Sequence, residues 1–332
     1  MTAITLPTKD ILTRHKTELY IEKTIAPKII FGKLLPVVYN DSEEFETVMK
    51  HRSLVDDINE KVLSEPDLLG ENITFGDIEM STLQTSTGAF SGFGYQMKWT
   101  KKMKKKSTFL YDYLQALNQA VSGLAIFANK LVTLRLAEGA GLTFSDIETE
   151  YGTPLSDWAS NPDPSSDYNI LNEFYPYLTG DLFELKSLYM ARNPYFQLHD
   201  YLDSFDPTMG RKLNSTDFEW KGIHNYNAKN SFDPLQNSRL KILKDINCIG
   251  FADGLPARIE NAVDAEFSTI QAAREANPSK AIENGGNLPV PYVNCGEPKH
   301  LEIFEEGLAM WFNLGVNIRE PNGIITGNIG TI

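Results

Sequence analysis

The chain has 332 residues, of which 42% are hydrophobic and 23% charged, close to the averages for globular proteins. This composition excludes collagen-like and wholly disordered classes, and the formal net charge of −13 argues against a surface that binds nucleic acid throughout. No stretch approaches the ~20 uninterrupted apolar residues that span a bilayer, and Cys248 and Cys295 belong to no CxxC pair, so we expect no membrane, metal or cofactor partner.

The N-terminal third contains an arm, a short helix and a glycine-rich extended region. Prolines interrupt residues 1–40, which we interpret as an arm whose apolar side needs another surface to cover it, and the apolar spacing from residue 42 onward predicts a helix. Residues 70–100 are rich in Gly, Ser and Thr but place large apolar side chains at alternate positions, namely Phe93, Tyr95, Met97 and Trp99. This period of two predicts a strand of an extended hairpin whose aromatic face needs another surface to cover it.

The clearest helix follows at residues 108–138. Apolar residues recur there at intervals of three and four until Gly139 and Gly141. At 1.5 Å per residue the helix extends ~46 Å, a length typical of a structural spine.

The central region is rich in loops. Three prolines and many turn-forming residues predict a loop or domain boundary over 152–169, followed by helices at 181–193 and 195–205. Residues 206–238 are weakly patterned, with a short strand expected from Phe218 to Ile223. A further helix is predicted from Pro256, through Ile259, to the stop at Asn277-Pro278.

The last 30 residues predict a long antiparallel sheet. Every even position from Leu308 to Ile318 is apolar, which indicates a strand of about 11 residues. Asn322-Gly323 is a hairpin signal, so we expect residues 324–329 to return as a partner strand. Leu301 and Ile303 suggest a third strand beside them.

This order of elements resembles the HK97-fold major capsid proteins of tailed double-stranded DNA viruses. The closing stretch FEEGLAMWFNLGVNIREPNGIITGNI is similar to the usual ending of that family, and the resemblance covers most of the chain from residue 40. It implies an α+β fold with an N-terminal arm at 1–40, an E-loop region at 41–107, a spine helix of the P-domain at 108–150, an axial A-domain at 151–287 and an elongated antiparallel P-domain sheet at 288–332.

The resemblance also implies a function without catalysis. The chain is expected to self-assemble into hexamers and pentamers of an icosahedral shell that encloses double-stranded DNA without reading its sequence. Expected partners are other copies of itself, a portal protein and a separate scaffolding protein. The expected location is the virion, after assembly in the host cytoplasm.

Two groups of residues are candidates for contacts between subunits. The first is the set of alternating apolar side chains, which could instead form one face of an ordinary sheet. The second is a lysine cluster, which could instead be a solvated surface or, less favourably in so acidic a chain, a DNA contact. The candidates are Phe93, Tyr95, Met97, Trp99, Lys101, Lys102, Lys104, Lys105 and Lys106.

Two other functions compete with a viral shell. An encapsulin-type nanocompartment shares the HK97 fold and would enclose enzymes. A cytosolic hydrolase could use Cys295, Glu297 and His300, but a thiol nucleophile needs a base within hydrogen-bond reach, and three such residues often share a loop by chance. The chain contains no GxSxG or HExxH sequence, and we predict that it is not an enzyme.

Overall fold

The computed structural model describes residues 20–21, 24–40, 44–48, 85–152, 155, 164–179, 183–205, 216–233, 246–262, 292–298, 301–302 and 304–329. Its helices are α1 (Phe109–Glu138), α2 (Phe144–Tyr151), α3 (Pro164–Leu178) and α4 (Arg192–Phe205). Its strands are β1 (Val37–Asn40), β2 (Glu44–Val48), β3 (Thr85–Ala89), β4 (Ser91–Thr100), β5 (Leu142–Thr143), β6 (Leu185–Met190), β7 (Asp217–Trp220), β8 (Ile223–Asn227), β9 (Cys248–Ala252), β10 (Ala257–Ala262), β11 (Asn294–Gly296), β12 (Glu305–Ile318) and β13 (Ile324–Gly327). This mixture confirms the predicted α+β class.

The chain divides into two compact units. The first contains residues 1–45, 88–132 and 258–316, and the second contains residues 46–87, 133–257 and 317–332. Each unit is therefore built from stretches that are far apart in the sequence.

The first unit is organised around the long strand β12. A five-stranded sheet has the order β1-β10-β12-β11, and β4 also pairs with β12. Strand β1 runs parallel to β10, whereas β4 and β11 run antiparallel to β12. Along β12 the even positions Leu308, Met310, Phe312 and Leu314 are buried, as the alternation in the sequence predicts.

Helix α1 begins and ends within a residue of its predicted limits. It is long and apolar enough to meet the length and composition criteria for a membrane span, but 56% of its most apolar window is buried in the protein itself, as in the core helix of a soluble protein. Its buried positions include Leu117, Val121, Leu124 and Ala128, at the spacing of one helical face.

The described part of the N-terminal arm lies against this helix of its own chain. Asn129 of α1 accepts a hydrogen bond from the Ile30 amide (3.0 Å) and donates one to the Lys28 carbonyl (2.9 Å). Ile25 and Phe31 are buried. The expectation that the arm leaves its apolar side uncovered within one copy is wrong for these residues, because two 3-10 turns fold them onto α1; residues 1–19 lie outside the described part.

The second unit contains a six-stranded sheet in the order β5-β13-β9-β6-β8-β7. Helices α2, α3 and α4 supply side chains to the same hydrophobic core as these strands. Leu171, Leu188, Tyr195 and Leu198 are all 0% exposed in this core.

Three helix predictions are wrong because the segments form strands. Residues 44–48, the part of the first predicted helix that the structure describes, form β2, where the Phe45 ring lies so close to Gly88 and Gly315 that neither position has room for a Cβ. Residues 185–190 form β6, whose inward and outward positions are both largely buried, so its apolar run lacks the alternation that marks a half-buried strand. Residues 257–262 form β10, and the rest of the helix predicted from Pro256 lies outside the described residues.

The predicted C-terminal hairpin is also wrong. Strand β13 pairs with β9 and β5 in the six-stranded sheet, not with β12. The Pro321–Gly323 segment forms a 3-10 turn whose Pro321 carbonyl accepts a hydrogen bond from the Gly141 amide (2.8 Å), which directs the chain away from β12. The neighbours of β12 are β10, β11 and β4. Leu301 is not in a strand, and Ile303 lies outside the described residues.

Of three further segments, two agree with the sequence-based expectation and one differs from it. Helix α4 confirms the helix predicted at 195–205, and β7 and β8 form an antiparallel hairpin at the predicted short strand. Helix α3 begins at Pro164, inside the segment 152–169 that the sequence predicts to be a loop or domain boundary. Proline is well suited to the first position of a helix.

Candidate assembly interface

Strand β4 is paired with β12 along its whole length. The register joins ten residue pairs, from Ser91 with Leu314 to Thr100 with Glu305. In an antiparallel pair, directly opposed residues share a face. The alternating side chains Phe93, Tyr95, Met97 and Trp99 therefore lie on the face that carries the even-numbered residues of β12.

This face is covered in part by α1 of the same chain. The Phe93 ring centroid lies 4.7 Å from that of Phe127 and 5.6 Å from that of Phe312. Trp99 contacts Phe109 and Tyr113, with ring centroids 5.9 Å and 5.4 Å apart. The expectation that the aromatic face lacks local cover is wrong for Phe93 and Trp99, because the chain turns back after β4 and lays α1 over it. Their participation in subunit contacts stays a prediction.

Tyr95 differs from its neighbours on the strand. It is 50% exposed, although its ring lies near Gly123 of α1, where a Cβ would lie 3.0 Å from the Tyr95 hydroxyl. A glycine at this position of the helix lets the tyrosine approach the helix backbone. Tyr95 thus retains half of its surface for another contact, and Met97 is half-buried.

The lysine cluster forms an ordered turn between β4 and α1. Residues 103–105 form a 3-10 turn, the Lys101 amide donates to the Phe304 carbonyl (3.0 Å), and the Lys106 amide donates to the Met103 carbonyl (3.0 Å). Every side chain from Lys101 to Thr108 is exposed. The five candidate lysines of this turn therefore project into solvent from a fixed backbone.

Lys104 differs from the other lysines of the turn because it pairs with Glu306 of β12, at 2.7 Å between Nζ and Oε2. The hydrogen bond from Lys104 lowers the pKa of Glu306 below its usual value. Among the residues that the structure describes, Lys104 forms a salt bridge within its own chain. The other four candidate lysines, Lys101, Lys102, Lys105 and Lys106, form no described salt bridge. The turn therefore keeps a strong positive charge.

Exposed apolar side chains surround this turn. Met103 is 45% exposed, and Tyr111 and Phe304 are each 72% exposed. We define the basic corner as residues 101–106 together with Tyr111 and Phe304. Tyr111 and Phe304 were not among the candidates from the sequence, although Tyr111 falls off the apolar stripe of its helix and Phe304 precedes two glutamates, which are the signals that could have identified them.

The alternative hydrolase site receives no support from the described geometry. Cys295 is 2% exposed, and its thiol donates to the Val293 carbonyl at 3.8 Å. His300 lies outside the described residues. Burial raises the pKa of the other thiol, Cys248, well above its usual value, which disfavours the thiolate. Among the residues that the structure describes, no group of three His, Cys, Asp or Glu side chains is arranged to hold a metal.

Comparison with known proteins gives structural matches alone. No family model matches the chain, and no curated protein matches it by sequence. A solved capsid structure of the cyanophage P-SCSP1u aligns with a TM-score of 0.50 and 10% identity, covering 91% of this chain and 89% of that chain. A virus-like particle from Pyrococcus furiosus aligns at 0.49 and 11%, covering 95% and 98%, and the capsid of an empty GTA particle at 0.45 and 11%, covering 92% and 90%.

The cyanophage match extends over nearly the full length of both chains, so it bears on the arrangement of the elements and not on an isolated motif. The predicted HK97-like fold class is confirmed by this similarity. At 10% identity the match shows the fold, and the roles of individual residues have to be argued from their own contacts.

Proposed function

We propose that this chain is the major capsid protein of a tailed double-stranded DNA virus, which self-assembles into hexamers and pentamers of an icosahedral shell. The observation that carries the proposal is the HK97-like fold, which matches a cyanophage capsid subunit over 91% of this chain. The exposed basic corner supports it, because a free subunit gains nothing from apolar side chains held in water beside lysines of which four are in no described salt bridge.

The parts of the fold have proposed roles in the shell. Residues 1–40 form the arm, 41–107 the E-loop region, 108–150 the spine helix, 151–287 the axial A-domain and 288–332 the P-domain sheet. In this proposal the shell encloses DNA without sequence-specific contacts, a portal and a scaffolding protein assist assembly in the host cytoplasm, and the mature location is the virion.

A structural role without catalysis fits the buried state of both cysteines. Cys248 and Cys295 are each at most 2% exposed, so neither thiol is accessible to a substrate in the folded subunit. Repeated modest interfaces around a closed shell supply collective stability, which makes a reactive site unnecessary for the proposed function.

The test is expression of the chain alone, followed by mass photometry and negative-stain electron microscopy over a range of protein concentrations. We expect pentamers, hexamers or closed particles whose fraction rises with concentration. A species that stays monomeric at every concentration, with and without a co-expressed scaffold, contradicts the proposal. Particles that purify with enzyme cargo and lack nucleic acid indicate the nanocompartment alternative instead.

A further inference from the structure

We propose that the basic corner of one copy binds the acidic outer face of helix α2 of a second copy. This inference rests on the proposed shell function and names the partner surface for the candidate lysines. The partner is another copy of this chain, and the contact is electrostatic, with the apolar side chains of the basic corner itself at its centre.

The basic corner carries a concentrated positive charge. Residues 88–132 contain seven basic residues and one acidic residue, Asp112, and five of the lysines fall between positions 101 and 106. They immediately precede the N-terminus of the 30-residue helix α1, which is the positive end of its dipole. Neighbouring like charges and the helix dipole both disfavour this arrangement, and the single described salt bridge, with Glu306, offsets only part of it. An anionic partner would remove the remaining repulsion.

The basic corner also exposes large hydrophobic side chains. Among the described residues, the exposed large hydrophobic side chains are Tyr95, Met103, Tyr111, Ile126, Leu255 and Phe304. Three of these six belong to the basic corner. Aromatic and methionine side chains are enriched at the centres of protein interfaces, where they exclude water from surrounding charges. This combination favours a protein partner over a phosphate backbone, which offers no apolar surface to cover Tyr111 and Phe304.

The excess of negative charge lies in the second unit. The second unit contains 28 acidic and 14 basic residues, whereas the first unit contains 16 acidic and 17 basic residues. Helix α2 lies in the second unit and has three acidic residues and no basic one. Its apolar side chains Phe144 and Ile147 are buried, and this fixes the acidic positions on the outside of the unit.

The acidic face of α2 is well ordered. The Asp146 carboxylate accepts hydrogen bonds from the Thr143 amide (2.6 Å) and hydroxyl (2.8 Å), and Glu148 accepts one from the Leu155 amide (2.9 Å). Glu150 is exposed at the C-terminal end of the helix. Negative charge at a helix C-terminus is unfavourable, so Glu150 also gains from a cationic partner.

The two surfaces differ, which determines the symmetry of the assembly. A contact between unlike patches is heterologous, and repetition of such a contact produces a ring when the rotation closes. Rings of identical subunits are the units of the proposed shell. A contact of the basic corner with itself would instead oppose five lysines to five lysines.

The experiment uses the full chain in three charge variants. The corner variant is Lys102→Glu with Lys105→Glu. The helix variant is Glu148→Gln with Glu150→Lys, in which the glutamine keeps the oxygen that binds the Leu155 amide. The control variant is Arg192→Glu with Lys229→Glu, which makes the same charge change as the corner variant at exposed sites of the second unit.

We expect the corner variant and the helix variant each to raise the protein concentration needed for assembly at least tenfold, and the control variant to assemble as the unmodified chain does. A chain that combines the corner and helix changes should recover assembly. An equimolar mixture of the two single variants should form six-membered rings, in which matched contacts alternate, but not five-membered rings. Thermal unfolding of each subunit establishes that it is folded.

The inference is overturned if the corner variant assembles normally or if the combined chain assembles no better than either parent. Loss of DNA from otherwise intact particles of the corner variant would assign the lysines to the genome, and this also overturns it. Failure of the unmodified chain to assemble is a different result, because it removes the proposed function itself.

Discussion

Three tyrosines of the second unit differ in exposure from two tyrosines of the first unit, although Tyr113 of the first unit is buried as well. In the second unit Tyr168, Tyr175 and Tyr189 are at most 1% exposed, and their hydroxyls donate to Asn225, to the Asn322 carbonyl and to Ser231, respectively. In the first unit Tyr95 is 50% and Tyr111 is 72% exposed. A buried phenol needs a hydrogen-bond partner, and each of these three has one within its own chain.

The three tyrosines of the second unit belong to a buried core. The two tyrosines of the first unit belong to a surface on which apolar area stays exposed. The six-stranded sheet and its helices bury the large side chains of their core within the second unit. The basic corner places Tyr111 and Phe304 in water beside lysines. In the proposed shell, this surface is buried against a second copy of the chain.

The largest expected effect compares two tyrosines directly. Tyr195 is 0% exposed, and its ring centroid lies 5.3 Å from that of Phe218. Tyr195→Ala should lower the free energy of unfolding by about 3–5 kcal/mol, because it leaves a cavity in the core. Tyr111→Ala should change it by less than about 0.5 kcal/mol and should weaken assembly instead. Urea denaturation and mass photometry measure the two effects, and a large loss of stability in Tyr111→Ala would contradict the comparison.

The buried tyrosines also predict sensitivity to alkali. Burial raises the pKa of Tyr189 to about 12 and raises those of Tyr168, Tyr175 and Tyr195. A raised pKa in the folded state means that the contribution to stability is complete below pH ~10, where the unfolded phenol titrates, and is lost as pH rises through the folded value. The Tyr189 contribution amounts to about 3 kcal/mol at ~1.4 kcal/mol per pH unit.

Urea denaturation between pH 9 and pH 12 checks this expectation. Tyr189→Phe should reduce the loss of stability above pH 10. Ser231→Ala, which removes one hydrogen-bond partner of the phenol and keeps the phenol itself, should retain the loss. Equal pH dependence in Tyr189→Phe and the unmodified chain would show that this phenol is not protected from titration.

The sequence predicted the elements that have one dominant periodicity. Helix α1 and strand β12 are long, and each buries one face more fully than the other, so apolar spacing alone identifies their type and nearly their limits. The same holds for the aromatic positions of β4. The lysine turn was found because its charge density is unique in the chain.

The sequence failed where two faces are buried or where the partner is distant. Strand β6 buries residues on both faces in the middle of a sheet, which removes the alternation. Strand β13 pairs with β9, more than 70 residues away, and no local signal distinguishes that partner from β12. The cover that α1 gives to Phe93 depends on the direction of the turn at 101–108, which charge composition does not encode.

Strand β4 is held closely by its backbone even though its face is partly open. A Cβ on Gly94 would lie 2.3 Å from the Met310 carbonyl oxygen, whereas one on Gly92 would lie 3.0 Å from the Asn313 side chain. Gly94→Ala should therefore lower the free energy of unfolding by about 1–3 kcal/mol, because backbone atoms of β12 must shift. Gly92→Ala is the matched control, and its flexible neighbour can move. Equal stabilities of the two variants in thermal unfolding would mean that β4 is not fixed on β12.

The smallest expected effect concerns the salt bridge at the basic corner. Lys104 lowers the pKa of Glu306, so this pair stabilises the folded subunit above the unfolded glutamate pKa and loses that contribution as pH falls through the lowered value. Both side chains are partly exposed, at 41% and 35%, and solvent screening limits the contribution to less than about 1 kcal/mol. Glu306→Gln should therefore cost little at pH 7, and that cost should shrink as pH falls through the lowered pKa of Glu306. A double-mutant cycle with Lys104→Gln isolates the pair, and a coupling that does not decrease as pH is lowered would show that another interaction, not this ion pair, orders the turn. In assembly the same Glu306→Gln change should strengthen binding to an acidic partner, because it adds Lys104 to the positive charge that the corner presents.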